Sequence, residues 1–266
     1  MKRIEPSVGV KSLGVISAAT GNEENQLERM HEFIKSWVAA LNVGKLPPHM
    51  NLQAMNTRIL RTLLYPLPAT SLTPQNCADL ESSLYRESLP KCGISSKLPL
   101  TIRYCATRYM GLGITRFGII QGLYHLSEFV ENYHGDSLMA QQILIQCELI
   151  QTIIGTKSWC FNYPASSYSH LIENCWIKTV REFVSENSIS IQAPHPAINL
   201  PRQHDAFLME AFVTHGCNKL TLRRLNTCRI YLQVITISDI VDAAGRRIVK
   251  QYLDGRSQRD RISKHK

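Results

Sequence analysis

Leu27-Glu-Arg-Met30-His-Glu-Phe-Ile34-Lys-Ser-Trp37-Val38-Ala-Ala-Leu41 spaces its apolar side chains three and four residues apart, which is the repeat of a helix that buries one face. Thr20-Gly-Asn-Glu23, just ahead, has the spacing of a capping box, and Gly44 stops the run. The same period returns in Leu52, Met55, Ile59, Leu60 and Leu63, with Arg58 and Arg61 on the flank of the stripe. Thr73-Pro74 supplies an N-cap and a first-turn proline for a third helix expected through Leu84. Further stripes at Ile119, Leu123, Leu126 and Val130, at Met139, Ile143, Cys147, Ile150 and Ile154, and at Ile172, Cys175, Trp176, Thr179, Val180 and Phe183 predict three more helices. Asp205 to Phe212 and Leu220 to Val234 continue the helical pattern. Strand-like sequence is confined to Val8 through Ile16, where a small hairpin is expected around Lys11-Ser12, marginal if it has to stand alone. The expected fold class is mainly α: two helical bundles and an irregular connector, with at most a small N-terminal β-hairpin.

Glycine and proline punctuate that pattern. Prolines 90 and 99 and glycines 93, 111 and 113 interrupt periodicity between Leu89 and Ile114, so this basic stretch reads as a long connector whose aliphatic and tyrosine content argues for order. Ala193-Pro-His-Pro-Ala-Ile-Asn-Leu-Pro201 reads as a linker, and the charged tail beyond Gly255 is expected to be mobile. The segments are therefore residues 1–20, a hairpin; 21–88, helices; 89–114, the connector; 115–192, a helical bundle; 193–202, the Pro-rich linker; 203–250, C-terminal helices; and 251–266, a basic mobile tail.

With 266 residues, of which 44% are hydrophobic and 19% charged, the chain can bury a core and is not of disordered composition. No Cys-x-x-Cys pair occurs among the eight cysteines, no apolar leader follows Met1, and the most apolar window, Ser137 to Gly155, contains Glu148 and four glutamines. These features lead us to expect reduced thiols, an intracellular location in nucleus or cytoplasm rather than secretion, and no membrane association.

The net charge of +9 is segregated. Nine basic and three acidic residues fall between Lys45 and Arg116, three basic and seven acidic between Phe117 and Glu186, and eight basic and two acidic between Arg246 and Lys266. A basic half beside an acidic half suits a chain with one polyanion-facing surface.

The residues offer no complete catalytic centre. The seven aspartates include no adjacent pair of the kind that holds two divalent metals, and Asp239 and Asp242 read better as a complement to a helix start. Gly111-x-Gly113 and Gly155-Thr-Lys-Ser158 fall short of phosphate-binding loops, and no Gly-x-Ser-x-Gly elbow occurs. We therefore expect no catalytic residues, no metal site and no cofactor in this chain.

Several stretches, in order, resemble the region after the catalytic palm in reverse transcriptases of non-LTR retroelements, particularly the copies found in diatoms and other protists. Lys11-Ser-Leu-Gly-Val15 resembles the element that supports the primer end. The helix with Trp37, followed by Ile59-Leu-Arg-Thr-Leu-Leu-Tyr-Pro-Leu67, is similar to the thumb. Leu89-Pro-Lys-Cys-Gly-Ile94 and Tyr109-Met-Gly-Leu-Gly-Ile114 resemble two connector signatures, with Met110 where the family usually has glycine. Asp205-Ala-Phe-Leu-Met209 and Leu225 through Ile240 look like the distal part of the same element, so the likeness covers roughly residues 8–250.

That resemblance implies a post-catalytic fragment, or a decayed copy, of an RNA-directed DNA polymerase whose fingers, palm and magnesium-binding aspartates would lie before Met1. Residues 21–88 would form its thumb-like bundle. The chain alone would then not be an enzyme; its residual role would be to hold a template and primer duplex, RNA or DNA, by its backbone. Arg58, Arg61, Lys91, Lys97, Arg103 and Arg108 are the expected phosphate contacts, and Lys11 and Gly14 belong to the primer-supporting hairpin. Two alternatives remain: a helical interaction module docking a protein partner through the acidic bundle, and a genomic relic with no selected function.

Overall fold

The computed structural model describes residues 5–242, except 19, 134, 158, 163–164, 192–201 and 203–204, together with residue 248. The Pro-rich linker, Arg202 apart, and the basic tail lie outside the described residues. Helices dominate, and the only sheet among the described residues is a two-stranded antiparallel hairpin of β1 (Val10–Ser12) and β2 (Val15–Ser17). The mainly α class therefore holds. No described helix is long and apolar enough to cross a membrane. The chain divides into two compact units, Met1–Val130 with Asn174–Val180, and Glu131–Glu173 with Arg181–Lys266.

In the first unit, α1 (Glu24–Val43) buries Met30, Ile34 and Leu41 against α4 (Pro74–Lys91). Its start differs from expectation. Thr20 does not cap it; Glu23 holds the N-cap position, and its carboxylate accepts instead from the Ser71 amide at 2.9 Å, a partner 48 residues away. Next, α2 (Pro48–Ala54), a π-helical turn (Met55–Ile59) and α3 (Leu60–Leu64) make one rod that buries Met55, Ile59, Leu60 and Leu63, the expected stripe. For α4 the Thr73 hydroxyl caps the Asn76 amide as its sequence suggests.

That helix runs past Leu84 to Lys91 with Pro90 inside its last turn, where the proline removes one amide from the helical ladder. Gly93, at φ +74°, then closes the end, and the Ile94 amide reaches back to the Leu89 carbonyl.

The connector is ordered. It contains α5 (Leu100–Tyr104) and a 3₁₀ turn (Thr107–Tyr109), and its returning segment is tied by amides of Leu112, Gly113 and Ile114 to carbonyls of Ile102, Cys105 and Arg103. Met110 adopts the left-handed conformation, at φ +64°, that glycine takes at no steric cost. Gly111 is required for another reason, since a Cβ there would lie 2.1 Å from the Cys105 carbonyl oxygen.

Glu81, buried on α4, pins this connector: its carboxylate accepts from the Tyr104 hydroxyl and from the Phe117 amide that opens α6 (Phe117–Asn132), both at 2.6 Å. Glu81→Ala leaves a phenol and a helix-start amide without acceptors. The expected loss is about 2 kcal/mol in urea unfolding; an unchanged midpoint would rule out this pinning role.

The buried face of α6 differs from the expected one. Phe117, Gln121, His125 and Phe129 point inward, while Ile119, Leu123 and Val130 are exposed. Gln121 is held inside by pairing with both backbone groups of Leu72, donating to its carbonyl at 2.9 Å and accepting from its amide at 3.2 Å.

In the second unit, α7 (Leu138–Ile154) starts on a Ser137 cap and buries Ala140, Ile143, Cys147, Ile150 and Ile154; Met139, expected on that stripe, is exposed. Two short segments follow, α8 (Ala165–Tyr168) and a 3₁₀ turn (Ser169–Leu171). Of α9 (Trp176–Glu186), the residues from Arg181 onward belong to this unit, and Arg181 is fully buried, donating to the Cys160 carbonyl at 2.7 Å and the Ser169 hydroxyl at 3.0 Å. The chain continues as α10 (Leu208–Thr214) and α11 (Lys219–Leu232). Asp239 joins Thr236 in a capping box, accepting from the Ile235 and Thr236 amides, in line with its expected role at a helix start. All eight cysteines are free, and four of them, Cys77, Cys92, Cys147 and Cys160, are buried.

Candidate nucleic-acid interface

The candidate cations of the first unit start from the hairpin. Its turn is Leu13-Gly14, not Lys11-Ser12: both turn residues have positive φ, +47° and +90°, and Lys11 pairs with Ile16 inside the ladder. Glycine at 14 meets that demand, which places the turn two residues later than expected.

The hairpin does not stand alone. The Ile16 amide donates to Gln26 at 2.8 Å, Arg29 donates to the Gly14 carbonyl at 2.9 Å, and the Tyr65 hydroxyl donates to the Leu13 carbonyl at 2.8 Å. Tyr65 immediately follows α3, one turn beyond Arg61 and two beyond Arg58. Arg58 and Arg61 are exposed on the outward side of the rod, opposite Met55, Ile59 and Leu63. Arg29 and Tyr65 thus hold the Leu13-Gly14 turn, and Tyr65 ties it to the end of the rod that carries Arg58 and Arg61. Neither clamp was anticipated. The four-residue step from Arg61 to Tyr65 could have suggested a shared face, whereas nothing local marks Arg29.

The connector residues behave differently. Lys91 and Lys97 are exposed, the former on the last turn of α4, where its carbonyl accepts from buried Asn51. Arg108 is exposed, with its guanidinium 4.7 Å from the Tyr109 ring centroid. Arg103 corrects the expectation of a phosphate contact. It is buried, donates to the carbonyls of Ser96 at 3.0 Å and Leu98 at 3.4 Å, and lies 5.9 Å from the Tyr85 ring, so its donors serve the connector's own backbone. A charge in sequence does not reveal whether carbonyls will converge on it. No family model, curated protein or solved structure matches this chain.

A groove of about 380 Å³ between α1 and α4, lined by His31, Lys35, Asn42, Arg86 and Glu87 among others, includes none of the eight candidate residues. Among the described residues, no group of three His, Cys, Asp or Glu side chains could hold a metal ion.

Proposed function

We propose that this chain is the thumb and connector part of a retroelement reverse transcriptase and that its first unit holds a nucleic-acid duplex through backbone contacts. The observation that carries the reading is the docking of the Leu13-Gly14 turn by Arg29 and Tyr65 beside the helix that presents Arg58 and Arg61. A rigid cationic edge next to a small exposed turn suits a phosphate backbone, where positive charge positions the strand without reading its sequence. The left-handed Met110, at a position where the resembled family has glycine, further supports the resemblance.

Reversing the two exposed charges, Arg58→Glu with Arg61→Glu, is expected to weaken binding of a primed duplex about tenfold at low salt and to make its salt dependence shallower by about two contacts. Anisotropy titrations of wild type and variant at two salt concentrations measure both quantities. Absence of affinity in the wild type at low salt, or affinity indifferent to salt, would sink the proposal. A second reading, a protein-docking module, draws support from the outward apolar residues Ile119, Leu123 and Val130 on α6. It requires a partner complex that survives the charge reversal.

A further inference from the structure

The acid-free stretch between Glu210 and Asp239 contains Lys219, Arg223, Arg224 and Arg229. It folds as two helices joined by four residues, His215-Gly-Cys-Asn218. Gly216, at φ +74°, ends α10, with the Cys217 amide returning to the Phe212 carbonyl at 3.1 Å. Asn218 then caps α11 by accepting from the Thr221 amide at 2.9 Å. A helix, a short glycine-containing turn and a second, capped helix have the connectivity of a helix-turn-helix.

The second helix buries one side and exposes the other. Leu222, Asn226 and Arg229 are buried, so the opposite face carries Leu220, Arg224, Thr227 and Tyr231, all exposed, with Lys219 and Arg223 exposed in the first turns. Three exposed cations without a carboxylate among them, with Leu220 beside them, form a surface of one charge sign that complements a polyanion. We propose that α11 is a groove-reading helix for double-stranded DNA, a second nucleic-acid contact that does not depend on the one assigned to the first unit.

Three features favour this partner. The charge exposed on α11 is of one sign and lies in its first two turns, the end at which a recognition helix meets base edges and phosphates. At 14 residues the helix is about 21 Å long, enough to lie in the major groove of B-form DNA, whereas the deep, narrow groove of an RNA helix would not admit it. Arg and Thr side chains have partners there in guanine edges and thymine methyls. Arg223 is partly committed to the fold, donating to the His170 carbonyl at 3.2 Å, so Lys219 and Arg224 are the cleaner probes.

The test uses the full chain and a blunt-ended DNA duplex without a primer terminus, read by anisotropy at two salt concentrations. Lys219→Gln with Arg224→Gln is expected to weaken binding at least tenfold and to make its salt dependence shallower by about two contacts, with far-UV circular dichroism and melting unchanged. Binding to an RNA duplex of the same sequence should stay within twofold of the wild type. Leu220→Ala, which alters no charge, should reduce discrimination between DNA sequences and leave the salt dependence alone. Wild-type DNA affinity in the folded double variant would overturn the proposal, as would equal losses on DNA and RNA, or loss of a protein complex with DNA binding intact. If only the Arg58 and Arg61 variant loses affinity, the α11 proposal fails and the first-unit reading stands. If only the Lys219 and Arg224 variant loses affinity, α11 is the DNA contact and the first-unit reading fails.

Discussion

Arg229→Met is expected to cost about 4 kcal/mol of folding stability, roughly 10 °C in melting temperature. The Arg229 side chain is almost fully buried and makes five hydrogen bonds, all to neutral acceptors: the carbonyls of Thr152, Ile153 and Val234, and Asn226 Oδ1 twice. Two of those carbonyls belong to the last turn of α7, where no helical amide can reach them and where the helix dipole favours a cation. Burial lowers the guanidinium's pKa to about 10, which leaves it charged at neutral pH.

Methionine fills similar volume and supplies no donor, so buried acceptors lose their partners, and that dominates the cost. Lysine restores charge but not the planar fork of donors, and should recover less than half of the loss. Gly155, which ends α7 in the left-handed region, is the other half of this device: a Cβ there would sit 2.8 Å from the guanidinium carbon. Gly155→Ala and Arg229→Met should therefore be strongly non-additive in a double-mutant cycle followed by urea unfolding. Additive effects, or a loss below about 1 kcal/mol for Arg229→Met, would show that the end of α7 is satisfied some other way.

Acidification offers a second large effect. His125 is fully buried on α6, its ring centroid 5.9 Å from that of Trp176, and neither ring nitrogen has a hydrogen-bond partner among the described residues. Burial drives its pKa down to about 4, partly opposed by the nearby carbonyls of Leu67, Pro68 and Thr70. In the unfolded chain the imidazole takes its proton near pH 6.5. Because the folded pKa is the lower one, stability from this site is complete above about pH 6.5, is lost as pH falls toward 4, and levels off below that. The loss amounts to about 3 kcal/mol.

His125→Leu removes the titration, so wild type and variant should diverge in just this window when urea midpoints are compared between pH 7 and pH 4. Their difference isolates the histidine from the carboxylates that titrate in both proteins. Parallel curves would mean that the imidazole protonates in place.

Much of the fold was legible in residue order. The periods of α1, of the α2 to α3 rod and of α7, the Thr73 cap, and the prolines and glycines around the connector are all local signals, and the structure follows them. The hairpin that carries Lys11 and Gly14 and the helix flank that carries Arg58 and Arg61 were both readable in the same way. What residue order did not show was, several times over, a polar side chain whose partner lies away from its own helical turn. Glu23 turns from its own helix to the Ser71 amide, Gln121 leaves the outer face of α6 to pair with Leu72, and Arg103 and Arg229 go inside to meet carbonyls.

A pattern of apolar residues measures only how much a segment gains by leaving water, and that gain is additive and local. Whether a polar group is buried depends on how many donors or acceptors meet it once the chain has folded, and those are set largely by other segments. Helix positions and the arrangement of charge thus came from sequence alone, whereas the inward face of α6 and the fate of Arg103 and Arg229 were decided only by tertiary contacts. The physical reason is that desolvating a polar group is unfavourable until its partners arrive.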